Sequence, residues 1–449
     1  MPDIENTGKP PSIIVIGGGW AGLSAAAELA RHNIPVTLLE SARQVGGRAR
    51  RVSFGDICVD NGQHIMLGAY RHMLDLMSTL GVREDAAFIR QPLHLNIMNR
   101  SGNALSLKTF NKLPAPLPLL IGLSTAKGLS TLEKIRGLWL SLHLAINRFS
   151  LTKDISVLQF LQQHRQSPRI IRLLWEPLCI AALNTPIEYA SSKIFLAVLK
   201  NTFAKRSSDA DAMIPVMDLS SMLPEPAMDY VEKHGGTVQL AKRVLSLDIK
   251  DSAIQGVTLL DETIQCEHAI LAVPHPICRR LLSPHHNFDS IVQNLDRIET
   301  SQITTIYLQY DKGVMLEEAF IGSVNSISQW IFDRRLCGQP GLMAVVISAA
   351  GAHTELDNEQ LVKRVSGELA DYFPAWPAAE RSRVIREKRA TFLSEVDIDD
   401  YRPGHRTPVQ GVWLAGDFTN TGYPSTLEGA VMSGVGCAAR LMEELQEER

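Results

Sequence analysis

The alternation of apolar and polar positions near the start of the chain predicts a strand, a turn, a helix and a second strand. Residues 12–16 (SIIVI) are an apolar run of the length of a buried strand, and residues 36–39 (VTLL) are another. Between them, residues 23–31 (LSAAAELAR) have the alanine-rich composition of a helix. Residues 17–22 (GGGWAG) join the first strand to this helix. The pattern therefore predicts a β–α–β unit with a glycine turn after its first strand.

The spacing of apolar residues predicts further elements along the rest of the chain. Helices are expected over residues 71–80, 130–149, 154–189, 190–203, 227–234, 358–372 and 426–441. Strands are expected over residues 52–60, 95–107, 237–240, 244–249, 254–260, 268–273, 304–309, 328–332, 343–348 and 412–415. Residues 113–123 are apolar but contain three prolines, so they cannot form one helix. Pro274 and Pro276 are expected to end the preceding run of strands.

The glycine turn has the spacing of a dinucleotide-binding fingerprint. Gly17 permits the tight turn, Gly19 lets backbone N–H groups approach a pyrophosphate, and Gly22 lets the helix pack on the strand. The helix amino terminus, with Trp20 and Ala21, then faces the diphosphate. Glu40 and Ser41 follow the second strand, where a carboxylate can accept hydrogen bonds from a ribose. A glycine-rich turn of another α/β protein is the alternative interpretation.

Two further segments point to a particular dinucleotide. Gly46-Gly47-Arg48 follows the ribose acid closely, and an arginine there can meet a phosphate, although a solvated surface charge is the alternative. Near the other end, a short apolar strand leads into Gly416-Asp417 and then a helix. Both segments resemble the flavoprotein family that includes amine oxidases and carotenoid desaturases, and the cofactor that this resemblance implies is FAD.

Composition excludes several other classes of protein. The 449 residues are 45% hydrophobic and 21% charged, with a formal net charge of -3, so nothing indicates nucleic-acid binding. The six cysteines are scattered without a CxxC pair, which argues against zinc and against a disulfide framework and fits a reducing cytoplasm. No metal site is expected. No signal peptide is expected in residues 1–11, and no apolar run is long enough to span a bilayer. A cytoplasmic location, with or without peripheral contact at the inner face of the membrane, is expected.

Residues 113–149 are the segment expected to make that membrane contact. The proline-broken apolar run is followed by a helix with basic residues near an apolar stripe. The stripe comprises Leu132, Ile135, Leu138, Trp139, Leu142 and Ile146. The alternative is an ordinary amphipathic helix that packs on its own domain.

Four longer stretches carry a more specific resemblance. Residues 59–70, 174–186, 329–333 and 414–430 resemble the squalene-associated FAD-dependent desaturases, which are hydroxysqualene dehydroxylases of bacterial hopanoid and squalene synthesis. This resemblance implies reduction of hydroxysqualene to squalene with reduced flavin as hydride donor, a long-chain isoprenoid substrate, and an electron donor that the sequence does not identify. A carotenoid-type polyene desaturase, a flavin amine oxidase and a non-catalytic isoprenoid escort protein are the alternatives.

The resemblance also implies an architecture and a set of cofactor contacts. The expected fold is α/β: a Rossmann-like FAD-binding domain with a parallel sheet and a β-meander (residues 1–90, 222–290 and 400–449), and a discontinuously inserted mixed α+β substrate domain (residues 91–221 and 291–399). The expected FAD contacts are Gly17, Gly19, Trp20, Ala21, Gly22, Glu40, Ser41, Gly46, Gly47, Arg48, Asn61, Gly62, Gln63, His64, Val244, Gly416, Asp417, Ser425, Thr426 and Leu427.

Loss of an allylic hydroxyl needs a proton donor, because hydroxide leaves poorly. His64 is the first candidate, since its segment should return to the flavin face and a histidine titrates in the required range. The alternative role of His64 is a hydrogen bond to the backbone near the cofactor. Tyr70 and Tyr423 are the other catalytic candidates. Trp330 and Phe332 are expected either to line a substrate tunnel, where they could face a cation, or to be core residues.

Overall fold

The computed structural model describes residues 12–109 and 117–447, and within these ranges it contains twenty strands and fifteen α-helices. The strands are β1 Ile13–Ile16, β2 Val36–Leu39, β3 Arg51–Phe54, β4 Ile57–Asp60, β5 Met66–Leu67, β6 Phe88–Gln91, β7 His94–Asn99, β8 Gly102–Lys108, β9 Ala212–Pro215, β10 Thr237–Gln239, β11 Ser246–Lys250, β12 Ala253–Thr258, β13 Thr263–Gln265, β14 His268–Leu271, β15 Thr300–Gln309, β16 Phe320–Ser323, β17 Trp330–Asp333, β18 Leu342–Ser348, β19 Arg381–Phe392 and β20 Val412–Leu414. The helices are α1 Trp20–Arg31, α2 Arg71–Thr79, α3 Glu84–Ala87, α4 Leu117–Thr125, α5 Thr131–Ile146, α6 Val157–Gln163, α7 Pro168–Ile170, α8 Glu176–Leu183, α9 Ser192–Phe203, α10 Leu219–Met222, α11 Pro224–Lys233, α12 His275–Leu282, α13 Asp289–Asp296, α14 Asn358–Tyr372 and α15 Leu427–Glu447.

A five-stranded parallel sheet, in the order β10-β2-β1-β14-β20, forms the centre of the nucleotide-binding part. The predicted β–α–β unit is confirmed as β1, α1 and β2, and all four residues of β1 are buried. Because the strands are parallel, the segments that follow β1, β2, β14 and β20 meet at one edge of the sheet. The fold therefore gathers the glycine turn and the Gly416-Asp417 segment at this edge.

Two other sheets complete the α/β architecture. Strands β11, β12 and β13 form an antiparallel meander. The sequence predicts β11 and β12 but not β13, and the predicted runs at residues 237–240 and 268–273 are instead β10 and β14 of the parallel sheet. A seven-stranded mixed sheet has the order β19-β15-β18-β17-β16-β7-β8, and only its β16–β7 pair is parallel among the pairings described. A parallel sheet with a meander and a mixed α+β region is the fold class that the sequence predicts, and it is confirmed. The assignment of residues 91–221 and 291–399 to a substrate domain stays a prediction.

Several local expectations from the sequence are wrong. Residues 52–60 form most of a hairpin, β3 and β4, rather than one strand, and residues 154–189 are broken into α6, α7, a π-helical turn at Ile171–Trp175, and α8. By contrast, the run of strands ends at Leu271, before Pro274 and Pro276, as the sequence predicts; the two prolines then open helix α12, because proline is well tolerated in the first helical turn. Helix α4 begins at Leu117 with Pro118 in its first turn. Residues 1–11 and 110–116, which include part of the proline-broken run, lie outside the described residues.

The packing of α1 against the C-terminal helix α15 depends on a small residue in α15. A methyl group at Gly434 would lie 2.1 Å from the carbonyl oxygen of Ala21 and 2.8 Å from the Cβ of Ser24. Both helices can therefore approach closely enough to hold the amino terminus of α1 at the sheet edge. Gly367 in α14 is the opposite case, because it is exposed and a methyl group there meets no atom within 4 Å.

We expect Gly434→Ala to lower the free energy of unfolding by about 1–3 kcal/mol, because overpacking forces the two helices apart. Gly367→Ala is the matched control and should stabilise the protein by about 0.4–1 kcal/mol through the unfolded chain. Urea denaturation of both variants measures the difference. Equal stability of the two variants would contradict the packing described here.

Candidate cofactor and substrate site

The glycine turn after β1 forms an open cradle at the sheet edge. Gly17 has φ of 111°, and a methyl group there would lie 2.6 Å from the carbonyl oxygen of Ala272, while one at Gly22 would lie 1.9 Å from the carbonyl oxygen of Gly17. At Gly19, by contrast, a methyl group would meet nothing within 4 Å. The turn is thus closely packed on the protein side and open on the other side, where a pyrophosphate fits.

Glu40 is held in place at the carboxyl end of β2. Its Oε2 accepts a hydrogen bond from the Gly18 N–H at 2.6 Å, and its Oε1 accepts from the Ala42 N–H at 2.7 Å and from the Ser41 hydroxyl at 3.2 Å. The buried carboxylate is therefore oriented beside the glycine turn, at the position where the sequence predicts a ribose contact. Ser41 orients this carboxylate.

The second glycine segment packs directly on the first. The Gly46 N–H donates to the carbonyl oxygen of Gly18 at 2.8 Å, and a methyl group at Gly47 would lie 3.2 Å from the Cα of Gly19. Trp20 is buried, and its indole N–H donates to the carbonyl oxygen of Ala49 at 2.9 Å. The indole of Trp20 therefore joins the two segments. Both glycine segments present backbone to the same open space.

Arg48 and Asp417, which the sequence assigns to FAD from opposite ends of the chain, form an ion pair. Arg48 Nη2 lies 2.6 Å from Asp417 Oδ1, and Ser425 donates to the other carboxylate oxygen. Burial alone would raise the pKa of Asp417, but the charge and hydrogen bond of Arg48 lower the pKa below its ordinary value. The Asp417 carboxylate is therefore ionised at neutral pH. Arg48 also donates to the carbonyl oxygen of Ala390 at 2.9 Å.

Sequence analysis missed two residues that support this ion pair. Arg402 is buried and donates to the carbonyl oxygens of Asp417 at 3.2 Å and Phe418 at 3.4 Å, so it holds the loop after β20. His275 is buried at the start of α12, with Nε2 2.9 Å from the carbonyl oxygen of Ile298. Burial lowers the pKa of His275, against the attraction of the Asp417 charge. Neither residue belongs to a local motif, and only the fold brings them here.

The segment that carries Asn61, Gly62, Gln63 and His64 is fixed by polar contacts. Asn61 Oδ1 accepts from the Arg50 N–H at 3.2 Å, and Gln63 Nε2 donates to the carbonyl oxygen of His64 at 3.0 Å. A methyl group at Gly62 would lie 3.6 Å from His64 Nε2 and 3.8 Å from Thr305 Oγ1. Thr305 Oγ1 is buried and has no hydrogen-bond partner in residues 12–109 and 117–447. Thr305 is therefore available to a bound ligand beside Gly62 and His64.

A buried charged pair, also missed from sequence, connects this segment to the mixed sheet. Arg334 Nη2 lies 3.7 Å from Asp60 Oδ2, both side chains are buried, and Arg334 also donates to Gln63 Oε1. Burial raises the pKa of Asp60 to about 6, although Arg334 opposes this shift. The Tyr307 hydroxyl donates to the carbonyl oxygen of Asp60 at 2.9 Å, and Arg334 lies over the Tyr307 ring at 5.7 Å. These contacts fix the segment's position relative to β15 and β17.

The three candidate proton donors occupy two places. Burial lowers the pKa of His64 to about 4, so its imidazole is neutral at neutral pH. Tyr70 and Tyr423 lie together near Glu428, and burial raises the pKa of both hydroxyls, so both are protonated. Thr426 lies close enough to the Tyr70 hydroxyl to oppose this rise in the pKa of Tyr70. The assignment of the proton donor stays a prediction, and the low pKa of His64 counts against a permanently charged imidazolium.

The remaining sequence candidates lie at element ends or in the core. Val244 is buried just before β11, and Thr426 caps the amino terminus of α15, because its hydroxyl accepts from the Gly429 N–H at 3.1 Å. Leu427 is the first residue of that helix. Trp330 and Phe332 on β17 are buried in the main apolar cluster, with ring centroids 6.0 and 5.6 Å from Phe320. Their tunnel role stays a prediction.

An apolar pocket lies apart from these two aromatic residues, between the β7–β8 edge of the mixed sheet and the helices that cover it. Thirteen of its lining residues are apolar and one is a serine: Leu93, Leu95, Leu107, Leu119, Leu120, Leu123, Ser141, Leu144, Phe149, Leu174, Trp175, Leu178, Leu199 and Phe203. Such a lining suits a hydrocarbon and offers almost nothing to a charged ligand. Its residues come from separate chain segments, so sequence analysis did not detect it.

The parallel sheet, the open glycine cradle and the carboxylate at the end of β2 define a dinucleotide-binding oxidoreductase. The profile of the family described as flavin containing amine oxidoreductase matches residues 20–442, and the chain belongs to this family. The protein is therefore an FAD-dependent oxidoreductase, and the residues at the sheet edge fit this cofactor. Residues 12–109 and 117–447 contain no cluster of side chains that could hold a metal ion.

Within this class, the chain is similar to several known proteins. The chain is similar to a hydroxysqualene dehydroxylase of Sinorhizobium fredii (strain NBRC 101917 / NGR234), with 25% identity covering 95% of this chain and 97% of the relative. It is 24% identical to a 15-cis-phytoene desaturase of Glycine max, over 97% of this chain and 80% of that protein. A putative protoporphyrinogen oxidase from Exiguobacterium sp. 255-15 has the same fold, with a TM-score of 0.73 and 17% identity, and the match covers 97% of this chain and 99% of that chain. The resemblance to squalene and carotenoid desaturases is confirmed.

We expect Glu40→Ala and Asp417→Ala each to reduce FAD retention, because each removes a buried carboxylate at the sheet edge. Glu232→Ala, an exposed position on α11, is the control. The ratio of flavin to protein absorbance after purification measures retention, and thermal unfolding separates lost cofactor from lost fold. A wild-type ratio in both variants would remove these two residues from the cofactor site.

Proposed function

We propose that this protein reduces hydroxysqualene to squalene, with loss of the allylic hydroxyl group. The observation that carries the proposal is the combination of a cofactor edge that fits FAD with a separate pocket whose lining is almost entirely apolar, which suits a redox reaction on a hydrocarbon. The similarity to a hydroxysqualene dehydroxylase along almost the whole chain supports it. The physiological setting that we propose is squalene and hopanoid synthesis.

In this proposal the protein binds and orients both FAD and the substrate, and it protonates the hydroxyl group that leaves. Reduced FAD supplies the hydride when it is bound. Glu40 and the two glycine segments hold its dinucleotide part, while Arg48 and Asp417 lie at the same edge of the sheet. A pocket with this lining holds little water, so the proton must come from a side chain that meets the hydroxyl group of the substrate. None of the candidate donors lines the pocket, so in this proposal the hydroxyl group lies outside it, on the side of the flavin. His64 is the first candidate for that proton and Tyr70 or Tyr423 the alternative.

Substrate entry is proposed to occur from a bilayer surface. Helix α5 exposes a continuous apolar stripe beside the pocket: Leu132, Ile135, Trp139, Leu142 and Ile146 are each 55–71% exposed. Leu138, which the sequence places in the stripe, is instead partly buried against the core. In the described ranges, no helix has the length and apolar character needed to cross a membrane. We propose that the stripe inserts into the bilayer interface.

A polyene desaturase is the second candidate function. The similarity to a phytoene desaturase supports it, and the apolar pocket suits a polyene as well as hydroxysqualene. The two functions differ in the direction of electron flow, because desaturation requires oxidised FAD and dehydroxylation requires reduced FAD. An anaerobic assay of chemically reduced holoenzyme with hydroxysqualene, phytoene and a panel of amines therefore distinguishes them. Turnover of phytoene by oxidised enzyme, without consumption of hydroxysqualene by reduced enzyme, would overturn the first proposal.

If His64 donates the proton, the rate of single-turnover oxidation of reduced enzyme by hydroxysqualene should rise as pH falls toward about 4. The reason is that the protonated fraction of a group with this pKa grows about tenfold for each pH unit between 8 and 5. His64→Ala should lose this dependence and react roughly a hundredfold more slowly near pH 5, while retaining FAD. His234→Ala, at an exposed position, is the control. A flat wild-type profile would leave Tyr70 or Tyr423 as the donor.

We expect Trp139→Glu/Leu142→Glu to abolish flotation of the protein with liposomes, because two carboxylates would have to enter the bilayer interface. Leu260→Glu is a matched control, since Leu260 is 90% exposed but lies in the meander. It should float like the wild type. Equal flotation of the double variant and the wild type would show that this stripe is not the contact.

A further inference from the structure

Strand β19 concentrates positive charge in a protein whose formal net charge is -3. Residues 381–389 (RSRVIREKR) contain five basic side chains and one carboxylate. Two of the basic residues have local partners: Arg381 Nη1 lies 2.7 Å from Asp56 Oδ1, and Arg386 Nη2 donates to the Leu356 carbonyl oxygen at 2.7 Å. Arg381 and Arg386 therefore have structural roles at this edge of the sheet.

The other three basic residues, Arg383, Lys388 and Arg389, have no such explanation. All three are exposed, and none forms an ion pair with a carboxylate within the described ranges. The carboxylate of the strand, Glu387, interacts electrostatically with Arg48. The strand therefore presents three uncompensated cations to solvent.

This charge adjoins the cofactor site. Arg48, which binds Asp417, also donates to the carbonyl oxygen of Ala390, the residue next to Arg389. The positive charge of Arg389 is among the influences that lower the pKa of His275, after burial. The C-terminal half of β19 is thus one contact away from the proposed FAD ligands.

The same strand lies far from the proposed membrane surface. Strand β19 is one edge of the seven-stranded sheet and β8 is the other, and α4 packs on β8, with a methyl group at Gly122 placed 2.9 Å from the carbonyl oxygen of Lys108. Helix α5 packs in turn on α4, where a methyl group at Gly137 would lie 3.7 Å from Leu123. Six strand intervals of about 4.8 Å separate the two edges by roughly 29 Å. When α5 contacts a bilayer, β19 therefore faces water.

We propose that Arg383, Lys388 and Arg389 form the docking surface for an acidic, water-soluble electron-carrier protein, an inference that rests on the proposed reduction of hydroxysqualene. Each reduction consumes two electrons and two protons and yields squalene and water. The carrier supplies the two electrons to bound FAD and is itself oxidised, and solvent supplies the proton that accompanies them. Cationic side chains beside the cofactor raise the encounter rate with an anionic protein and orient it.

The test compares Arg383→Gln/Lys388→Gln/Arg389→Gln with a control that removes the same charge elsewhere, Lys233→Gln/Lys250→Gln/Arg280→Gln, at exposed positions. The probe is a reduced acidic [2Fe–2S] ferredoxin, and anaerobic stopped-flow absorbance follows reduction of bound FAD. We expect the first variant to be reduced at least tenfold more slowly at low salt and the control to behave as wild type. The wild-type rate should fall steeply with ionic strength.

Binding and chemistry are measured separately. Surface plasmon resonance with oxidised ferredoxin should show a matching loss of affinity in the first variant. Its reduction by dithionite, and its single turnover with hydroxysqualene after that reduction, should be unchanged. Failure of hydroxysqualene to react would refute the proposed function and leave the docking measurement intact.

Four outcomes would overturn the docking proposal. One is a ferredoxin rate in the first variant within twofold of wild type, and another is an equal loss in the control. The third is loss of binding to anionic liposomes with an unchanged ferredoxin rate, which would make β19 a lipid-binding strand. An aggregation-prone first variant that keeps its ferredoxin rate would likewise show that the charges only protect an exposed sheet edge.

Discussion

The ion pair between Arg48 and Asp417 is the interaction on which the rest of the site depends. It joins segments 369 residues apart, and it places a buried carboxylate where the chain has little water to solvate it. Removing Arg48 would leave the buried Asp417 carboxylate without its charged partner, which costs several kcal/mol, about 3–5 in comparable cases. The loop after β20, the second glycine segment and the end of β19 must therefore be assembled together. The cofactor edge is consequently a property of the whole fold.

Local periodicity was sufficient to predict the parts of the fold whose hydrogen bonds are local or whose burial is complete. The β1–α1–β2 unit follows from two four-residue apolar runs and an alanine-rich segment, and the C-terminal helix from its spacing. Strand β19 escaped prediction because an exposed edge strand lacks the apolar alternation of a half-buried one. The single helix expected over residues 154–189 was wrong because the chain turns at Arg165, whose φ is 55°, and Ser167 caps a new helical segment that continues through the π-helical turn.

The residues of the candidate site also divide into those that the sequence predicts and those that it does not. The glycines and the ribose acid can be predicted from the sequence because their spacing follows the dinucleotide-binding fingerprint, although Gly17 also packs against the distant Ala272. Arg402, His275 and the Asp60–Arg334 pair are not, because their partners lie on other sheets and no local pattern marks them. The apolar pocket has the same origin, since its lining comes from β7, β8, α4, α5, the π-helical turn, α8 and α9 and from the loops beside them. Long-range packing forms these charged contacts and this pocket, so they cannot be predicted from residue types along the sequence.

In the proposed reaction, the mixed sheet also separates the surface that contacts lipid from the surface that contacts water. A hydrocarbon substrate partitions into lipid, whereas electrons for a flavin arrive from water. The β8 edge carries the apolar pocket and the exposed stripe of α5, while the β19 edge carries the cations and touches Arg48. If one edge both contacted lipid and bound an electron carrier, basic and apolar side chains would share one surface. The basic side chains would then weaken the contact with lipid, and the apolar side chains would weaken the contact with the carrier. The five strands between these edges keep the two surfaces apart, and the Arg48 side of the cofactor site lies at the β19 edge.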